Sequence, residues 1–170
     1  MIVQTPWVER KFEFNFPVGL YPIIIQRLQS TNPALRSLVE KIPDEKLSTR
    51  PEGKWSAKEV VGHLYDVEDL WNGRVDDFLS HADTLRAADM TNAKTTNARH
   101  NEQGIAELLE KFATARNKLI ARVGNFDEQT ASLVSLHPRL KTPMRLIDSL
   151  FFIVEHVDHE LTKISQLIRS

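Results

Sequence analysis

An apolar stripe with the period of an α-helix runs through the last part of the sequence and limits the folds that the chain can adopt. Apolar residues recur there every three or four positions, at Ile147, Leu150, Val154, Val157, Leu161, Ile164 and Ile168. A strand would instead alternate apolar and polar residues with a period of two. A helix with one apolar side must bury that side against other secondary-structure elements.

Two segments before it also show helical periodicity. "LYPIIIQRLQ" begins a helix at Leu20, and "TNPALRSLVEKI" is predicted to start afresh, with Thr31 or Asn32 as cap and Pro33 at the first helical position. These two pieces count as one helical element. A second element opens at "SAKEVVGHLYDVEDLWNGRVDDFL", where the spacing of Ser56 and Glu59 predicts a capping box.

The second half of the chain completes the pattern. "EQGIAELLEKFATARNKLIARV" is amphipathic and ends at Gly124. The fourth element is predicted to open at "TPMRLIDSL", with Thr142 as cap and Pro143 in the first turn. No segment gives a convincing strand signal. The polar segment "HADTLRAADMTNAKTTNARHN" is expected to be a surface or site-lining loop.

These patterns predict one all-α domain over residues 1–170, an up-and-down four-helix bundle. Residues 1–19 alternate aromatic and polar side chains and are expected to form an extended N-terminal arm. The arm's Trp7, Phe12, Phe14 and Phe16 could pack on the bundle or contribute to a dimer.

Composition excludes several classes of function. A formal net charge of -1 without a basic stripe speaks against nucleic-acid binding. The absence of cysteine rules out disulfides, a thiolate nucleophile and a zinc site built on cysteine. No window has the apolar length of a membrane span or a signal peptide, so a cytoplasmic location without membrane contact is expected.

Polar residues beside the apolar stripes are the candidates for chemistry. On a helical wheel, Glu160 lies roughly 80° from the centre of the last stripe, His156 roughly 120° and His159 close to 180°. His63 lies about 80° from the stripe of the second element. Two imidazoles and a carboxylate suit a zinc, nickel or iron ion with open positions. The same residues could equally be structural side chains on helix flanks, because spacing alone does not make the two helices neighbours.

Three other histidines and one arginine are expected to have structural or solvated environments, or an anionic partner. His81 and His100, in or beside the polar loop, are expected to be solvated. His137 precedes a proline and is expected to order the turn into the last helix. Arg74 lies near the apolar stripe, so it needs an anionic partner, either a buried acid or a carboxylate of a substrate.

Three stretches follow one another along the chain, "GKWSAKEVVGHLYDVEDLW", "HPRLKTPMRLIDSLFFIVEH" and "HVDHELTKI". As an ordered set they resemble the DinB superfamily, including its YfiT-like members. The resemblance covers roughly residues 20–168 and implies a four-helix bundle with three histidine ligands for a divalent metal, often nickel or zinc; iron and manganese are the other candidates.

The resemblance places the first two ligands at His63 and His156. The third family position falls on Glu160, where a histidine is usual, and His159 aligns with a position that is not the usual ligand. Three outcomes follow from this departure. Glu160 coordinates directly, His159 substitutes for it, or the metal site is lost.

The resemblance also implies an activity and an assembly. Family members with an assigned activity look like metal-dependent transferases or isomerases that use a low-molecular-weight thiol such as bacillithiol or mycothiol. The resemblance therefore implies such an activity for this chain, and it also implies a homodimer. The same centre could act on water as a hydrolase. Asp66, one turn after His63, could orient that histidine or a bound water, or could be a solvated surface acid. The alternative function is a non-catalytic bundle that binds a small molecule or dimerises.

Overall fold

The computed structural model describes residues 2–169, which form a bundle of four long helical elements. Short helices and a small sheet lie in the connections between them. The helices are α1 (Tyr21–Val39), α2 (Asp44–Ser48), α3 (Ala57–Asp66), α4 (Glu68–Leu79), α5 (Ala93–Asn97), α6 (Ile105–Val123), α7 (Glu128–Ala131) and α8 (Leu146–Arg169). The strands are β1 (Val134–Leu136) and β2 (Pro143–Arg145), and 3-10 turns occupy Trp7–Glu9, Val18–Leu20 and His100–Glu102. The predicted all-α four-helix bundle is confirmed.

The first element is one continuous helix, so the predicted restart at Thr31 is wrong. Pro33 lies inside α1 and cannot donate a hydrogen bond to the preceding turn. Packing on both sides of the proline compensates, because Leu28 and Leu35 are both fully buried. Thr31 is buried, and its hydroxyl donates to the Leu28 carbonyl instead of capping a helix.

The second element consists of α3 and α4, which are separated only by Val67. The predicted capping box is present, because the backbone N–H of Glu59 donates to Ser56 Oγ and the backbone N–H of Ser56 donates to the Glu59 carboxylate. This cap fixes where α3 begins, and therefore where His63 lies along it.

The core has two halves, which show how the helices run. In one half, the beginnings of α1 and α8 pack with α4 and the end of α6. In the other, the ends of α1 and α8 pack with α3 and the beginning of α6. Helices α1 and α8 therefore run one way, and α3–α4 and α6 run the other way.

Strict up-and-down alternation of the four elements is therefore not present, although the bundle itself is as predicted. The second and third elements run in the same direction, which requires a connection that returns along the bundle. Residues 80–104 form this connection. Helical periodicity does not encode such a return, because it describes each helix separately.

The start of the last helix differs from the prediction. Residues 143–145 form β2, which pairs antiparallel with β1 through Ser135 and Met144, and α8 begins only at Leu146. The strands are three residues long, too short for alternation to be visible in the sequence. Thr142 therefore ends a hairpin loop and does not cap α8.

The N-terminal arm packs along α8, which is one of the two arrangements that the aromatic pattern left open. Trp7 and the arm's three phenylalanines contact the core of the first half. Arg10 forms a 2.6 Å ion pair with Glu155 of α8, and its guanidinium lies over the ring of Trp7. Within residues 2–169, no helix has the length and apolar character needed to traverse a lipid bilayer.

Candidate metal centre

His63, His156 and Glu160 meet between α3 and α8. The two helices run antiparallel, and His156 and Glu160 lie one turn apart on the side of α8 that faces α3. Each residue offers one ligand atom, and these atoms lie within 4.8 Å of one another. Ligand atoms about 2.1 Å from a shared ion lie roughly 3 to 4 Å apart. Small side-chain rotations therefore suffice to bring all three onto one ion.

Both histidines are unprotonated at neutral pH. Burial lowers the pKa of His63 to about 4, with a further contribution from the charge of Lys163. Burial, followed by the neighbouring His63, lowers the pKa of His156 well below its ordinary value. Neutral imidazole is the form that binds a metal ion. The pocket therefore keeps both rings ready to coordinate without the loss of a proton.

Glu160 lacks a full counter-charge in this pocket. Burial raises the pKa of its carboxyl group, and Lys163, whose Nζ lies 3.5 Å from Oε2, only partly opposes the shift. His156 Nδ1 is buried and has no hydrogen-bond partner among residues 2–169. A divalent cation would balance the carboxylate and occupy imidazole lone pairs, so these residues fit such an ion.

A chain of hydrogen bonds orients His63. Asp66 Oδ2 accepts hydrogen bonds from Thr95 Oγ1 at 2.9 Å and from His100 Nε2 at 2.7 Å. Because the Thr95 hydroxyl donates to Asp66, its oxygen accepts from His63 Nδ1, which lies 3.3 Å away. The proton is thereby held on Nδ1, and the lone pair of Nε2 is left for a ligand.

His100 can reach Asp66 only because residue 62 is a glycine. A Cβ atom at Gly62 would lie 2.2 Å from the ring of His100. The ring is 2% exposed, and its Nδ1 accepts a hydrogen bond from Gln103 Nε2. Gly62 therefore allows His100 to pack directly on α3 beside the candidate ligands.

The three candidate ligands line a cavity of about 530 Å³. Trp55 and Trp7 form walls beside the two histidines, with ring centroids 5.1 Å from His63 and 5.0 Å from His156, respectively. Residues 87–95 of the polar connection also contribute to the lining. The cavity has the volume of a small-molecule site.

His159 points away from this cavity, as the helical wheel predicted. It contacts the N-terminal arm, where Gln4 Nε2 lies 3.0 Å from its Nδ1 and Trp7 packs at 5.6 Å. His159 is absent from the group of converging ligand atoms found within residues 2–169. His81 is exposed, as expected.

The prediction that His100 is solvated is wrong, and so is the interpretation of Asp66 as a solvated surface acid. Both side chains are buried and bind each other. The connection that carries His100 folds back onto α3, a long-range contact that local polarity cannot reveal. The prediction for His137 is confirmed, since its Nδ1 accepts hydrogen bonds from the backbone of Arg139 and Leu140 in the hairpin loop.

Sequence reasoning missed Thr95 and the two tryptophans beside the histidines. Thr95 is one of several threonines in a polar connection, and nothing in the local pattern distinguishes it. Trp7 and Trp55 precede the helices that hold the ligands, and only the tertiary fold brings them to the cavity.

Comparison with known proteins agrees with this architecture. A family model described as the DinB superfamily matches residues 27–163. Among solved structures, the chain is similar to YfiT from Bacillus subtilis, described as "a probable metal-dependent hydrolase with an unusual four-helix bundle topology". The sequences are 22% identical, the match covers 95% of this chain and 93% of that chain, and the TM-score is 0.80. A search of curated proteins finds no match.

Proposed function

The chain belongs to the DinB superfamily, and from this premise we propose that it is a metal-dependent enzyme. In this proposal His63, His156 and Glu160 hold one divalent ion at the edge of the cavity. The observation that carries it is the meeting of three buried ligand atoms within 4.8 Å at a cavity of about 530 Å³. The composition of the ligand set, two neutral imidazoles and a carboxylate, leaves positions open for other groups.

Each residue of the centre then has a defined task. The two histidines supply nitrogen lone pairs, and Glu160 supplies the negative charge that makes a divalent cation favourable in a buried site. Asp66 is a positioning residue that acts on His63 through Thr95. Such an ion, when bound, supplies the Lewis acidity that lowers the pKa of a water or a thiol reaching its open positions.

Hydrolysis is the reaction class that we favour, because the structural neighbour YfiT is described as a probable metal-dependent hydrolase. Transfer of a low-molecular-weight thiol such as bacillithiol or mycothiol is the second candidate. It is compatible with the absence of cysteine in the chain, since the sulfur would come from the cosubstrate. Nickel or zinc is the proposed ion, with iron or manganese as alternatives.

Metal analysis of protein purified without a histidine tag tests the proposal. We expect one equivalent of zinc or nickel in the wild type, and at least about a hundredfold weaker binding in His63→Ala, which lacks a ligand. Glu160→His, which restores the usual family ligand, should retain the ion. His159→Ala is the matched control, because that histidine lies on the same helix outside the centre.

Two outcomes would reject the metal site. One is a wild-type protein that takes up no divalent ion, which would favour the non-catalytic binding bundle. The other is equal loss of metal in His63→Ala and His159→Ala. For the loaded protein, hydrolysis of a nitrophenyl ester and conjugation of a thiol to an electrophile separate the two reaction classes. The homodimer and the cytoplasmic location stay predictions, and sedimentation tests the first.

A further inference from the structure

Arg74 is a buried cation without a carboxylate partner. The residue is 2% exposed and lies in α4, at the wall of the same cavity. Its Nε donates to the backbone carbonyl of Arg86 at 3.1 Å, and its Nη1 lies 3.3 Å from His137 Nε2. Within residues 2–169, no salt bridge joins Arg74 to an acid. The buried acid that the sequence offered as one possible partner is therefore not its partner.

The nearby acid is already engaged. The Asp77 carboxylate accepts hydrogen bonds from the backbone N–H of Arg86 at 2.8 Å and from its guanidinium at 2.7 Å. Arg139 also lines the cavity and adds positive charge beside Arg74. Among residues 2–169, the charged groups that act on Arg74 are therefore two further guanidinium groups and one carboxylate, which is paired with Arg86.

His137 contributes a second donor, for which residues 2–169 supply no acceptor. Its Nδ1 accepts from the backbone N–H groups of Arg139 at 3.2 Å and Leu140 at 3.1 Å. Burial, followed by the charge of Arg74, lowers the pKa of His137 to about 4, so the ring is neutral and carries one proton. Because backbone amides only donate, that proton lies on Nε2.

His137 Nε2 and Arg74 Nη1 are consequently two N–H donors that face each other. A guanidinium cannot accept a hydrogen bond, so their 3.3 Å contact satisfies neither group. Buried donors without acceptors are costly, and native proteins rarely keep them. An oxygen atom that lies beside the pair, within hydrogen-bond distance of both nitrogens, would accept from both.

An aromatic surface connects this donor pair to the candidate metal centre. The Arg74 guanidinium lies 5.5 Å from the centre of the Trp71 ring, which lies 5.7 Å from His156. The ring of Phe152 lies 5.4 Å from His137 and 6.4 Å from Trp71. A ligand that extends from the donor pair to the metal centre must therefore pass over apolar ring faces.

We propose that Arg74 and His137 bind a carboxylate of the substrate, and that the apolar part of the substrate lies on Trp71 and Phe152 with its reacting group at the metal centre. This proposal rests on the proposed function, because it defines the substrate class of that centre as carboxylates with an apolar body. A carboxylate fits the two donors, since each of its oxygens accepts hydrogen bonds and its charge balances Arg74.

Calorimetric titration with 3-phenylpropanoate tests the site, with acetate, inorganic phosphate and neutral 3-phenylpropanamide as comparison ligands. We expect 3-phenylpropanoate to bind most tightly and the amide to bind least. Arg74→Met should weaken 3-phenylpropanoate binding about tenfold to a hundredfold, as expected for loss of a charge-assisted hydrogen bond. Zinc content should not change, because Arg74 is not among the converging ligands.

His137→Asn is a second variant for the case that Arg74→Met does not fold. Its amide oxygen can still accept from the hairpin backbone, whereas the N–H corresponding to Nε2 is lost. Arg36→Gln is the control, because Arg36 carries the same charge, forms a solvent-exposed ion pair with Glu110 and does not line the cavity. We expect carboxylate binding to be weakened in His137→Asn and unchanged in Arg36→Gln.

The outcomes separate this proposal from the proposed function. Zinc uptake without a carboxylate effect in Arg74→Met and His137→Asn overturns the anion site alone. If the wild-type protein takes up no divalent ion but binds the carboxylate in a way that depends on Arg74, the anion site is supported and the metal centre is rejected. Tighter binding of phosphate than of 3-phenylpropanoate, or equal binding of the acid and its amide, overturns the carboxylate assignment.

Discussion

The ring orientation of His63 depends on side chains that are not themselves candidate metal ligands. The Thr95 hydroxyl donates a hydrogen bond to Asp66 and accepts one from His63 Nδ1. His100 donates to the same carboxylate oxygen of Asp66. Gly62 provides the space for His100. The candidate centre is therefore sensitive to a position that carries no functional group.

Gly62→Ala should destabilise the protein, although alanine is the better helix former. The new Cβ would overlap the buried ring of His100, and overpacking of this kind costs about 1–3 kcal/mol. The gain of up to about 1 kcal/mol in helix propensity does not offset it. Urea denaturation checks the loss, and zinc titration should show weaker binding because Asp66 no longer has its second donor.

Two other glycines serve as controls for this substitution. A Cβ at Gly73 meets only the end of the Arg86 side chain, which can move, and a Cβ at Gly104 meets nothing within 4 Å. Gly73→Ala and Gly104→Ala should change the free energy of unfolding by less than about 1 kcal/mol. A Gly62→Ala variant as stable as these two would show that His100 is not held against α3.

The sequence predicts the candidate ligands better than the residues that position them. His63, His156 and Glu160 stand out because each lies beside an apolar stripe at a flank position, which a wheel can identify. Thr95 and His100 lie in a connection whose path depends on tertiary contacts, so their roles have no periodic signal. The resemblance to the family identified the ligand positions, and the structure brings Glu160 toward the two histidines where a third histidine is usual.

At the scale of the helices, a buried ion pair joins three elements of the bundle. Arg116 of α6 and Glu68 of α4 are fully buried, and their closest nitrogen and oxygen atoms are 2.5 Å apart. Arg116 Nη1 also donates to Thr31 Oγ1 of α1 at 3.1 Å. This network lies between the two halves of the core and fixes the position of α4 relative to α1 and α6.

Arg116→Met should lower the free energy of unfolding by about 3–5 kcal/mol, because it leaves Glu68 buried without its cation. The double variant Glu68→Leu with Arg116→Met should recover most of that loss, since an apolar pair needs no compensation for desolvation. Urea unfolding of the single and double variants measures both effects, and the double-mutant cycle gives their coupling.

Arg36→Gln is the matched control for the buried pair. Arg36 and Glu110 also join α1 to α6, but their side chains are 47% and 75% exposed. Exposed pairs contribute about 0–1 kcal/mol. A loss in Arg116→Met no larger than in Arg36→Gln would contradict the role of the buried network.

The helices themselves were predictable, while their directions were not. Apolar periodicity and the Ser56–Glu59 capping box indicate where each long helix lies, because these signals are local. The parallel course of α4 and α6 depends on how residues 80–104 return along the bundle. The hairpin of β1 and β2 depends on the hydrogen bonds of His137 in its loop, and the segment before α8 otherwise resembles a helix start.

At the scale of the whole molecule, the N-terminal arm connects a pH-sensitive ion pair on α8 to the wall of the cavity. Glu155 of α8 accepts hydrogen bonds from Arg10 of the arm at 2.6 Å and from Arg27 of α1 at 2.9 Å. The other acid at this contact is Asp158, which also binds Arg27. Trp7 of the arm forms part of the cavity wall. A change in charge at Glu155 therefore acts on both the arm and the cavity.

Acidification should weaken the attachment of the arm, and the direction follows from the pKa of Glu155. Burial alone would raise this pKa, but the hydrogen bonds from Arg10 and Arg27 outweigh burial and lower it. A carboxyl group with a lowered native pKa stabilises the fold above its unfolded pKa of about 4.3. That contribution is lost as the pH falls through the lower native pKa.

Glu155→Gln isolates this contribution from those of the other acids. Between pH 7 and pH 5 the variant should be less stable than the wild type by a constant amount, because Glu155 stays ionised in both states of the wild type. Below about pH 4.3 the gap should narrow as the wild type also loses the charge. Urea unfolding followed by tryptophan fluorescence measures the gap, and Trp7 additionally reports release of the arm. A gap that widens on acidification would contradict the lowered pKa, and a gap of zero at pH 7 would show that the Arg10 and Arg27 contacts do not hold the arm.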